Sequence, residues 1–132
     1  MRYFIAATLL AGGLIHLLPV VGVLGPERLA SLYGVSIVDP NSLILMRHRA
    51  VLFGLIGGLM VLSVFKPALQ PLAFGVGLIS ASSFLCIAWS VGQYNALLSR
   101  VVAVDIVALA CLVAGAIAHA LQRAEQTGAS RS

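Results

Sequence analysis

The chain has 132 residues, 61% of them hydrophobic and only 9% charged, with a formal net charge of +4. A water-soluble domain carries about 25% charged residues, so this chain lacks the polar atoms to cover a water-facing surface, and its apolar residues fall in runs suited to membrane spans. The eight basic residues lie scattered between those runs, with no basic stripe and no recognition motif; they read as flanks that orient spans in a bilayer, not as a nucleic-acid surface.

The pattern predicts an all-α integral membrane four-helix bundle, a single domain over residues 1–121, with spans at about 3–24, 42–65, 71–91 and 97–121. The first run follows Met1-Arg2 as a secretory signal would, but it is long for one and no small-residue cleavage site follows. It is read as a retained helix, with a kink at Pro19 that frees a carbonyl near Ile15. The connection that follows contains "GPERLASLYG", with Pro26 at a helix start, Glu27 in the first turn and Gly34 as a stop. Leu29, Leu32 and Tyr33 fall on one side of it, which predicts a short helix lying on the membrane surface. Asp39 is then a helix cap with Pro40 in the first helical position. "KPALQP" and "GQYN" are tight connections, and residues 122–132 are expected to form a polar, disordered tail.

Polar side chains concentrate at one end of the bundle. Antiparallel spans bring the end of the first, the start of the second, the end of the third and the start of the fourth to one membrane face. In "MRHRAVLFGLIGG" (46–58), the uncharged run from Ala50 to Phe65 spans about 24 Å, short of the ~30 Å hydrocarbon core. A helix beginning at Pro40 places Arg47, His48 and Arg49 about two turns inside it. His16, Trp89, Gln93, Tyr94, Asn95, Arg100 and Asp105 fall at the same end.

Asp105 is the only acidic residue within a span, and a buried unpaired carboxylate is costly there. Arginine is its natural partner. On a helical wheel Arg47 shares a small-residue face with Ala50, Gly54, Gly57 and Gly58, so Arg47 is expected to face the bundle and Arg49 to snorkel or turn to another neighbour. The ligand-binding or ion-pair candidates are thus Asp105, Arg47, Arg49 and His16. His48, Trp89, Gln93, Tyr94 and Arg100 are secondary, and Ala50, Gly54 and Gly58 form a helix-packing motif. Whether Asp105 and its arginine form a functional pocket or a purely structural pair is open at this stage.

No metal is expected, because the three histidines lie at two depths with no ligand spacing, and no cofactor motif or catalytic constellation is present. Cys86 and Cys111 each sit in an apolar run and read as small hydrophobes. Positive charges number four on the terminal side (Arg2, Lys66, Arg123, Arg131) and four on the other (Arg28, Arg47, Arg49, Arg100). Setting Arg47 and Arg49 aside as site residues favours cytoplasmic termini.

The stretches "LASLYGVSIVDPNSLILMRHRAVLFGLIGG" and "QYNALLSRVVAVDIVALACL" resemble a group of small bacterial four-helix membrane proteins. More loosely, the layout is similar to DoxX-like membrane subunits, which associate with redox partners. The resemblance implies a bacterial inner-membrane location and brings no established activity. Some members of that group carry a phosphopantetheine adenylyltransferase label, which this sequence does not support, having neither a phosphate loop nor a soluble α/β domain. The expected function is an accessory or partner-binding subunit, with a membrane-protein partner or as a homo-oligomer; the alternatives are a pocket that binds or converts a small apolar molecule and a proton-coupled transporter using Asp105. Small multidrug transporters also have four spans, but rely on a glutamate in the first helix, where this chain has His16.

Overall fold

The computed structural model describes residues 1–129, and within them the chain is helical almost throughout. α1 runs Arg2–Leu17, and a 3₁₀ segment continues it over Leu18–Leu24. The short α2 covers Pro26–Tyr33, followed by α3 over Pro40–Phe65, α4 over Gln70–Val91 and α5 over Ala96–Ala129. Four of these stretches are long and apolar enough to cross a membrane, with α1 and its 3₁₀ extension counting as one.

Local chemistry explains the boundaries. Asp39 caps α3 by accepting from the Ser42 amide at 2.8 Å, with Pro40 in the first turn where its missing N–H costs nothing. Gly34 ends α2 in the left-handed region at φ 66°, which glycine adopts without steric penalty. Pro19 acts differently from the expected kink. The Leu18 amide takes the Ile15 carbonyl, and the chain tightens into 3₁₀ geometry without leaving that carbonyl open. The end of α5 also corrects the sequence reading: residues 122–129 continue the helix instead of forming a disordered tail. Gln, Arg, Ala and Glu are good helix formers, no proline interrupts them, and the Thr127 hydroxyl donates to the Arg123 carbonyl. The last three residues of the expected tail lie outside the described residues.

α1 packs chiefly on α3 and α5, and α4 on α5 and α3, so the four spans form a closed ring; α2 tucks beneath the 3₁₀ segment and reaches α5. The centre of the bundle is a dry layer of Leu9, Met60 and Leu112, all fully buried, with Ile5, Ala73 and Phe74 around them. Glycines set the closest approach. A Cβ on Gly57 would lie 2.8 Å from the Gly13 carbonyl oxygen, so α1 and α3 touch backbone to backbone. This revises the expected Ala50-Gly54-Gly58 motif: Ala50 is buried and Gly54 meets Val20, but nothing lies near Gly58, and Gly57 takes its place. Cys86 is exposed on the bundle's outer face and Cys111 is half-buried.

Candidate functional site

At the end of the bundle where the 3₁₀ segment, α2, α3 and α5 meet, the structure holds a cavity of about 180 Å³. Apolar side chains make most of its wall, among them Leu32, Phe53, Leu97 and Val101, while His16, Tyr33, Arg49, Arg100 and Asp105 supply the polar groups. Asp105 lies nine residues beyond the start of α5, or about 14 Å along the helix.

Each polar group is positioned differently. His16 is 2% exposed and satisfied on both ring nitrogens. Its Nδ1 pairs with the Gly12 carbonyl at 2.9 Å and its Nε2 with the Ser80 hydroxyl at 3.3 Å. A carbonyl only accepts, so Nδ1 donates to Gly12, and Nε2 shares a hydrogen bond with the Ser80 hydroxyl, which can serve as donor or acceptor. Phe53 flanks the imidazole, with ring centroids 5.7 Å apart. The partner of His16 is therefore one turn back on α1, not the carbonyl expected near Pro19.

Arg49 enters the cavity wall and Arg47 does not, which reverses the sequence expectation. The Arg49 guanidinium carbon lies 5.3 Å from the Tyr33 ring centre, 5.1 Å from that of Phe53 and 5.6 Å from that of Phe84. Arg47 is exposed and donates through Nε to the Val23 carbonyl at 2.8 Å. The physical reason lies in the two faces of α3. Its small-residue face is used up by α1 and the 3₁₀ segment, where Gly54 meets Val20 and Gly57 meets Gly13, so Arg47 above it meets that segment's backbone. Arg49, Phe53, Ile56, Met60 and Ser63 follow a separate stripe at helical spacing, and that stripe turns inward.

Asp105 and Arg49 line the same cavity without joining. Among the described residues no hydrogen bond or ion pair engages the carboxylate or the Arg49 guanidinium, whose near neighbours are the three rings. Asp105 shares one stripe of α5 with Ala108, Leu112 and Gly115, all three buried against the bundle.

Tyr33, which closes the cavity from α2, is 5% exposed. Burial pushes its phenol above the ordinary tyrosine value, with the Arg49 charge opposing and Asp105 adding to the rise. Asn95 ties this residue down by donating to the Tyr33 carbonyl at 2.8 Å, while its own Oδ1 accepts from the Leu98 amide in the first turn of α5. A second cavity, about 440 Å³, lies across Tyr33 and Arg49 and reaches Ile37, Ser42 and Phe84.

Of the secondary candidates only Arg100 reaches the cavity. His48, Trp89, Gln93 and Tyr94 are exposed and belong to the outer face. Sequence reasoning overlooked Phe53 and Phe84 as partners of arginine, and Ser80 as the partner of His16. The Arg49–Phe53 spacing of four residues was a readable signal; Ser80, sixty-four positions from His16, offered none.

The opposite end of the bundle carries a smaller polar group. Gln70 is buried, His119 packs on Phe74 with ring centroids 6.0 Å apart, and His119 Nε2 and Gln122 Oε1 are buried without a partner among the described residues. Compared with protein-family models, curated proteins and solved structures, the chain matches none.

Proposed function

We propose that this chain is a membrane-embedded binding protein for a small, largely apolar molecule, set in a bacterial inner membrane with both termini cytoplasmic. The observation that carries the reading is the cavity between the 3₁₀ segment, α2, α3 and α5, where a carboxylate with no hydrogen bond or ion pair among the described residues and an arginine set against aromatic rings share a mostly apolar space. Ligand pockets have this make-up, mostly hydrophobic and aromatic with a few convergent polar groups. Ionisable side chains at membrane depth mark functional sites by default, because their burial is costly without a use.

The size limits the guest. An apolar cavity of about 150 Å³ accommodates benzene, so about 180 Å³ suits a single ring or a short branched chain. The cavity favours this role over a purely accessory subunit, whose polar cluster would be expected to close on itself. Proton-coupled transport has less support: the fully buried Leu9, Met60 and Leu112 layer separates the Asp105 end from the Gln70 and His119 end.

Photolabelling in detergent tests the proposal, using a phenyl diazirine that fits one ring. Adducts concentrated on Phe53, Val101 and Val104, and lost in Val101→Phe, are the expected result. Label spread evenly over lipid-facing positions such as Leu55 and Ile79 would overturn it.

A further inference from the structure

We infer that the cavity selects an uncharged ring compound carrying a hydrogen-bond donor next to an acceptor, of which a primary amide on a phenyl ring is the simplest form. This rests on the binding reading above and goes beyond it by naming the ligand's chemistry.

His16 is complete, since both of its nitrogens have partners. Asp105 and Arg49 are not. The carboxylate is acceptor-only and unengaged among the described residues, while the guanidinium has five N–H donors and only ring faces against it. Cation–π contact with three rings takes none of those donors, and among the described residues no hydrogen bond starts from Arg49. Arg49 therefore brings donors and Asp105 an acceptor to one ring-sized cavity of about 180 Å³.

Charge then decides the ligand's own charge. Arg49 and Asp105 cancel, so a net ion brought between them leaves one charge uncompensated in a low-dielectric site. A neutral molecule with a donor for Asp105 and an acceptor for Arg49 satisfies both at once. Arg100 also lines the cavity but is exposed, and an exposed charge is screened far more than the half-buried Arg49 and Asp105, so it does not change this balance. The ring of the guest falls to Phe53, Leu32 and Val101.

Competition against the phenyl diazirine tests the assignment, with competitors compared at equal concentration in the detergent phase. Benzamide is expected to compete about tenfold better than toluene, the gain of hydrogen bonds to charged groups in a dry site. Methyl benzoate, which accepts but cannot donate, should fall back toward toluene, as should benzamide against Asp105→Ala. The ligand-side comparison needs no variant, so a misfolded Asp105→Ala leaves the test intact. Equal competition by benzamide, methyl benzoate and toluene would overturn the ligand class while leaving the pocket standing. Stronger competition by benzoate or benzylamine would overturn it in favour of a charged guest. Absence of specific labelling from the start would instead bring down the pocket reading itself.

Discussion

The Asn95 side chain joins two elements: Nδ2 donates to the Tyr33 carbonyl at 2.8 Å while Oδ1 caps α5 through the Leu98 amide, also at 2.8 Å. One residue in a short loop thus starts a span and holds the cavity's α2 wall against it. Asn95→Ala removes both functions and is expected to lower stability by about 1–2 kcal/mol, the usual range for a lost cap. Asn95→Asp keeps the cap but sets a carboxylate against the carbonyls of Tyr33 and Gly34, so it should loosen α2 with a smaller global loss. Thermal unfolding in detergent, paired with photolabelling at Phe53, separates the two effects.

Gly57 and Gly58 are adjacent, yet their substitution should act in opposite senses. Alanine at 57 places a Cβ 2.8 Å from the Gly13 backbone oxygen, which no side-chain movement relieves. Overpacking of this kind costs about 1–3 kcal/mol. Alanine at 58 meets nothing within 4 Å and should be neutral or gain up to about 1 kcal/mol from helix propensity. Denaturant midpoints of the two variants in matched micelles check the contrast; equal losses would contradict the α1–α3 contact.

The two arginines of "RHR" should likewise respond differently to lysine. Arg49→Lys replaces a planar cation shared among three rings with a compact ammonium, and is expected to cost about 1–2 kcal/mol. Arg47→Lys keeps an exposed cation able to donate, and should stay within about 0.5 kcal/mol of the parent. Unfolding midpoints decide the order, and a larger loss at 47 would contradict the assignment of the inward stripe.

The α3 cap carries a pH dependence of defined sign. Hydrogen bonds from Ser42, through side chain and backbone, hold the Asp39 carboxyl below its ordinary value, with Asn41 adding to the effect. A lowered folded-state value stabilises the helix start above the unfolded value of about 4, and that contribution is lost as pH falls through the folded value. The Ser42 amide resonance should therefore titrate with a midpoint below the ordinary aspartate value in an NMR series. Asp39→Asn, which still accepts at the cap, should abolish that titration.

The sequence by itself determined the helical class, the four apolar stretches, the short helix between the first two of them and the caps at Asp39 and Gly34, because those depend on composition and on residues within a turn of one another. It also drew polar residues to one end, since antiparallel spans of known length leave little freedom in depth. Which arginine turns inward was decided only by tertiary packing. On a single wheel the small-residue face of α3 is the natural place for close approach. In the bundle α1 and the 3₁₀ segment claim that face, and the stripe through Arg49, Phe53, Met60 and Ser63 becomes the interior. Rotation of a helix about its axis costs nothing in local propensity and is fixed by its neighbours. For the same reason His16 and Ser80, distant in the chain, meet across α1 and α4, and Arg49 and Asp105 share a cavity without touching.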